Sequence, residues 1–165
     1  MKVAIIGAGP RGLLITSHLI HHFPKSSAKT LQIQIFDPYP IGGRVWRTTQ
    51  SKLLIMNTIA QQMTMFDTQS FNGPNLYQWA KGQAVPFIDG QNYLNKNDFL
   101  EIVHDLKPND YTPRCIFGVY LQWFYHQITT NLPKDADKVV MNLGQQANDP
   151  IVISSPLRIM RSKTI

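Results

Sequence analysis

The chain has 165 residues, one cysteine and a formal net charge of +6, with a sequence pI near 9.6. That length supports a domain with a real core, and the single Cys115 excludes an internal disulfide and fits a reducing cytoplasm. The basic residues are scattered, with no basic helix or aromatic-interleaved stripe, which argues against nucleic-acid binding. No run reaches the about 18 apolar residues that would argue for a membrane span.

Lys2–Ile6 (KVAII) is an apolar, β-branched run, the pattern of a buried parallel strand. It leads into GAGPRG, where Gly7, Gly9 and Gly12 match G-x-G-x-x-G. Gly7 allows a sharp turn out of the strand, Gly9 allows a pyrophosphate to approach the backbone, and Gly12 allows the next helix to pack near the strand. Pro10 suits a first helical turn, whose N–H groups and dipole favour phosphate, and Arg11 adds a positive charge. The helix is expected to run to Phe23, with Leu13, Leu14, Leu19, Ile20 and Phe23 as its apolar face and Pro24 as its stop.

Leu31–Phe36 (LQIQIF) alternates apolar residues with glutamine and reads as a second strand, closed by Asp37. Asp37 lies 25 residues beyond Gly12, where about 20 is usual, and the polar loop 25–30 absorbs the difference. A carboxylate there accepts hydrogen bonds from ribose hydroxyls and repels a 2′-phosphate, which favours FAD or NAD over NADP. The alternative is a bare strand–helix turn in some other α/β protein; the agreement of loop, flanking elements and acid weighs against it.

Beyond the acid, Gly42-Gly43-Arg44 supplies glycines for close approach and a guanidinium for phosphate charge, although a plain surface turn carries the same residues. Residues 53–66 are apolar and methionine-rich, and Met56, Met63 and Met65 read most simply as core filling. Helices are expected over 74–81, 97–106 and 114–131. Trp79 is expected in the core, as is the stripe Ile116, Tyr120, Phe124 and Ile128 of the last helix. Two short strands follow at 139–143 and 151–154, then a basic tail with Arg158, Arg161 and Lys163. The breaks at 73–75, 106–113 and after Pro133 read as loops within one α/β unit. His18 and His22 have a spacing that can hold a metal. With no H-E-x-x-H pattern and no third ligand, no metal site is expected. No serine–histidine–aspartate set or G-x-S-x-G elbow is present, so no catalytic residue is assigned.

Taken in order, GAGPRG (7–12), FDP (36–38), GGRVWRT (42–48), LLIMNT (53–58), GPNLYQWA (73–80) and TPRCIFGVYLQWF (112–124) carry a likeness over roughly residues 1–130. They resemble the amino-terminal FAD-binding part of a bacterial FAD/NAD(P)-binding flavoprotein family related to FAD-dependent urate hydroxylases and L-aspartate N-monooxygenases. The resemblance implies an α/β, Rossmann-like FAD/NAD(P)-binding fold: an incomplete three-layer parallel sheet with added helices. It implies FAD held by Gly7, Gly9, Pro10, Arg11, Gly12 and Asp37, with Gly43, Arg44, Trp46 and Asn57 as further contacts, and NAD(P)H as the reductant in the full-length family. The organisation expected is a dinucleotide-binding domain over 1–131 and a carboxyl-terminal extension over 132–165.

A second glycine loop for NAD(P)H does not follow, nor does a recognisable late strand and helix to close the FAD site. The chain is therefore expected to be the FAD-binding portion of a monooxygenase-like flavin-dependent oxidoreductase, truncated before the NAD(P)H half, with catalysis in doubt. One alternative is a noncatalytic FAD- or NAD-binding module completed by a partner chain. Another is a fold kept only as an interaction surface. With only two clear parallel strands, an exposed sheet edge, marginal stability and weak FAD binding are expected.

Overall fold

A computed structural model of the chain describes residues 1–23, 31–67, 72–130, 139–144 and 158–161. In chain order the elements are β1 (Lys2–Ile6), α1 (Pro10–His22), β2 (Leu31–Phe36), β3 (Ile55–Ile59), a 3-10 turn (Ala60–Gln62), α2 (Leu76–Gly82), α3 (Ala84–Asp89), α4 (Lys96–Asp105), β4 (Tyr111–Pro113), α5 (Arg114–Thr130), β5 (Val139–Gly144) and β6 (Arg158–Arg161). They fall into two compact units, Met1–Arg44 with Tyr125–Ile165, and Val45–Phe124.

The first unit is built on a four-stranded sheet in the order β5-β2-β1-β6, with every neighbouring pair parallel. β1 registers Val3 on Ile33 and Ile5 on Ile35. Val3, Ala4, Ile5, Leu31, Ile33 and Ile35 are all buried, while Gln34 is exposed, so the alternation in LQIQIF sorts one face of β2 into the core. Two strands were clear in the sequence, and two more flank them. Val139–Gly144 pairs along the whole of β2. Arg158–Arg161, expected to lie in a basic tail, pairs with Val3–Ile6 of β1. Among the described residues β5 and β6 are the outer strands, and β1 and β2 lie between paired neighbours on both sides. The strand expected at 151–154, the loop 25–30, Pro24 and Lys163 lie outside the described residues.

α1 buries Gly12, Leu13, Thr16, Ser17 and Ile20, a narrower face than the leucines suggested, since Leu14, Leu19 and Phe23 are only half-buried. Small residues hold the close side of the helix, and the Thr16 hydroxyl donates back to the Gly12 carbonyl at 2.8 Å, which satisfies it without a core partner.

The second unit is mostly helical. Asn75 caps α2 by accepting from the Gln78 N–H at 2.8 Å, and the Gln78 side chain accepts from the Asn75 N–H at 3.0 Å, a reciprocal capping box. The apolar stripe expected on α5 is buried in this unit at Ile116, Tyr120 and Phe124, and so are Phe117, Val119, Leu121 and Trp123; Ile128, on the part of α5 counted with the first unit, is buried too. A helix buried that far round is a core helix rather than a surface one. β4, whose sequence predicts a loop, pairs antiparallel with β3, matching Ile59 to Tyr111 and Ile55 to Pro113.

The Arg114 N–H donates to the Leu54 carbonyl at 2.8 Å, and its guanidinium lies over the Trp46 ring at 5.9 Å. A Cβ on Gly118 would come within 2.2 Å of the Trp46 carbonyl oxygen, so only glycine lets that backbone seat on α5. The Tyr120 hydroxyl donates to the Pro74 carbonyl at 2.7 Å and accepts from the Met65 N–H at 3.2 Å. Its ring stacks on Trp123 at 5.6 Å and meets Trp79 edge-on at 5.4 Å. Among the described residues no helix is long and apolar enough to cross a membrane.

Candidate functional site: the glycine loop and its acid

At the carboxyl end of β1 the three glycines stand in three different settings. Gly7 takes a φ of 109°, which side chains rarely adopt, and its N–H donates to the Phe36 carbonyl at 2.8 Å, tying the turn to the end of β2. A Cβ on Gly12 would stand 1.9 Å from the Gly7 carbonyl oxygen, so α1 can reach the strand only without one. Gly9 has neither constraint. Its φ of −78° and ψ of −176° are open to any residue, and among the described residues an added Cβ would meet nothing nearer than the Gly42 carbonyl oxygen at 3.9 Å. Neither backbone nor packing explains a glycine there; the space beside it suits a group that must come against the main chain.

Pro10 opens α1, whose first turn has no side-chain cap, so its leading amides and dipole face the same end as the loop. Arg11 and Arg44 are both exposed, Arg11 on the first turn of α1 and Arg44 directly after the glycine pair.

Asp37 is 93% shielded from solvent, and both of its carboxylate oxygens are engaged. Oδ2 accepts from the Ala8 N–H at 2.7 Å and Oδ1 from the Tyr39 N–H at 2.8 Å. The Gly42 N–H donates to the Ala8 carbonyl at 3.0 Å, so the Ala8 residue, wholly buried, is gripped at both its N–H and its C=O. Gly42 and Gly43 take φ of 107° and 64°, and a Cβ on Gly43 would lie 3.2 Å from Asp37 Oδ2. The glycine–arginine turn is therefore stitched onto the first loop rather than projecting as a free surface turn. Sequence reading named Gly7, Gly9, Gly12, Asp37 and Gly43, and the structure brings these together. It missed Ala8, whose role is entirely main-chain, and underweighted Gly42, for which the doublet after the acid was the available signal.

Trp46 and Asn57 belong to the second unit. Trp46 is half-buried, edge-on to Phe117 at 4.9 Å, and Asn57 is exposed on β3. Cys115 is buried, and burial pushes its thiol pKa up, which keeps it a poor nucleophile. His18 and His22 stack at 5.8 Å on α1, and among the described residues no group of three or more histidine, cysteine or acidic side chains converges.

A parallel sheet whose first strand runs through a glycine loop into a helix, with a buried acid at the end of the second strand, is the arrangement of dinucleotide-binding folds. The chain belongs to the family described as FAD-NAD(P)-binding, which matches residues 4–149. It is 34% identical over 140 residues to an L-aspartate N-monooxygenase (nitrosuccinate-forming) of Streptomyces davaonensis, covering 79% of this chain and 21% of that one. An enzyme of the same name from Streptomyces cremeus is 33% identical over 144 residues, 81% of this chain and 22% of its own. A nitrosuccinic acid synthase of Aspergillus oryzae is 33% identical over 142 residues, 79% and 19% respectively. The chain thus spans about a fifth of the length of these curated relatives.

Proposed function

We propose that this chain is the FAD-binding portion of a flavin-dependent, monooxygenase-like oxidoreductase that uses NAD(P)H as reductant. The observation that carries the reading is Gly9, a glycine with an ordinary backbone and open space where its side chain would be. In this reading the Gly7–Gly12 loop and the first turn of α1 hold the pyrophosphate, Arg11 and Arg44 offset its charge, and Gly43 keeps the second turn low. Asp37 faces the adenosine ribose. Trp46 and Asn57 follow as further contacts from the family likeness. FAD, when bound, supplies the redox chemistry, and the residues of this chain bind and orient it. The parallel sheet is one layer of a three-layer Rossmann-like arrangement, and the single buried cysteine suits a cytoplasmic setting.

Titration of the purified chain with FAD and then NAD, followed by flavin fluorescence and ligand-dependent melting, tests this reading. Saturable FAD binding that disappears in Gly9→Val while the ligand-free melting curve stays put is the expected result. A wild-type chain that binds neither nucleotide sinks it.

A further inference from the structure

The carboxylate of Asp37 is already occupied before any ligand arrives, and this gives it a second task. Two backbone N–H groups point at it, Ala8 on Oδ2 at 2.7 Å and Tyr39 on Oδ1 at 2.8 Å, from two loops 29 and two residues away in sequence. Charge-assisted bonds of this kind are the strong ones, and both are short. Ala8 is the residue immediately before Gly9, and its carbonyl is held from the other side by the Gly42 N–H at 3.0 Å. The position of the Gly9 main chain is therefore set by a clamp whose anchor is Asp37. We propose that Asp37 is a positioning residue for the phosphate-binding loop, acting through the Ala8 amide on any dinucleotide bound there, in addition to whatever it does for the ribose. The inference rests on the cofactor reading above and adds the device that pre-shapes its loop.

The two roles predict opposite signs for one substitution. Asp37→Asn removes a negative charge and replaces one acceptor oxygen by an NH2, so one of the two backbone N–H groups then faces a donor. If Asp37 served only the ribose, a ligand without ribose hydroxyls would lose nothing in this variant. Such an anion would gain from the loss of a like charge nearby. If Asp37 holds the loop, the same ligand loses affinity although repulsion has been relieved.

ADP, standing for the adenylate half of FAD, and 2′,3′-dideoxy-ADP are the two probes. They are titrated against wild-type chain, Asp37→Asn and Asp37→Glu, with thermal melting and ligand-free amide exchange at Ala8 and Gly42 by NMR. The expected result is that dideoxy-ADP binds about tenfold more weakly to Asp37→Asn, the equivalent of one lost charge-assisted hydrogen bond. Faster exchange at Ala8 and Gly42 without ligand is expected alongside it. Equal or tighter dideoxy-ADP binding, with only ADP weakened, overturns the proposal and leaves a ribose contact. Should Asp37→Asn fail to fold, Asp37→Glu, which keeps charge and both oxygens but shifts them by a methylene, carries the same two readouts. A wild-type chain that binds neither probe sinks the cofactor reading, and the exchange rates then decide the clamp by themselves: unchanged exchange at both amides overturns it.

Discussion

At the scale of single residues, the three loop glycines separate experimentally. Gly12→Ala forces a Cβ to 1.9 Å from a main-chain oxygen, which cannot swing away, so a loss on the order of 2–3 kcal/mol is expected on denaturant unfolding. Gly9→Ala places its methyl in open space and should leave the unfolding free energy within about 0.5 kcal/mol of wild type while FAD affinity falls. Equal effects on stability would remove the argument that Gly9 is kept for a ligand. Tyr120 gives a pH prediction. Burial is the largest effect on its phenol and pushes the pKa from 10.0 up to about 12, against the opposing Met65 N–H and Thr64 bonds. The folded state therefore holds this proton more tightly than the unfolded one. Its stabilisation is complete below pH 10 and is lost as pH rises toward 12, on the order of 2 kcal/mol, and Tyr120→Phe should flatten that alkaline decline in urea titrations.

At the scale of elements, propensity and tertiary demand can be told apart. α2 is only seven residues long, too short to stand by itself, and depends on its Asn75–Gln78 capping box. Asn75→Ala is expected to cost about 1 kcal/mol by chemical denaturation, and Asn75→Asp, which keeps an acceptor for the Gln78 N–H, should recover most of it. The helix α5 and the strand β2 were legible in advance because their apolar periods are long and clean: LQIQIF at period two, and Ile116, Tyr120, Phe124 and Ile128 at helical steps. α3 and β4 were not. AVPFID carries a proline and no apolar period, and Tyr111–Pro113 is three residues whose strand character comes from pairing with β3 rather than from composition.

At the scale of the whole chain, the decisive pairings are those of β5 and β6. Each attaches to a strand more than a hundred residues earlier, Leu31 with Val139 and Val3 with Arg158. Removing residues 131–165 strips both flanks from β1 and β2 and leaves a two-stranded parallel pair, which is not independently stable. Such a truncated chain should lose the FAD-dependent shift in melting temperature even though Gly7–Gly12 and Asp37 remain. A shift equal to that of the full chain would show that the flanking strands are dispensable for binding. The expectation of marginal stability rested on two clear strands; the described sheet has four, and the backbone groups next to the glycine loop are paired on both sides.

What the sequence determined by itself was local and chemical: a strand, a glycine loop, a helix and an acid, each written in consecutive residues whose backbone needs restrict the choice of side chain. Position within the motif already assigned Gly7 to the turn, Gly9 to close approach and Gly12 to helix packing; tertiary structure supplied what lies across from each missing Cβ, main-chain oxygen at 1.9 Å for Gly12 and none nearer than 3.9 Å among the described residues for Gly9. It also decided that RIMR is a strand, since a short charged segment acquires its conformation from the hydrogen bonds β1 offers it. The engagement of Asp37 with Ala8 is of the same kind. A carboxylate announces its charge in sequence, but the amides that orient it are main-chain groups common to every residue, and only the fold selects them.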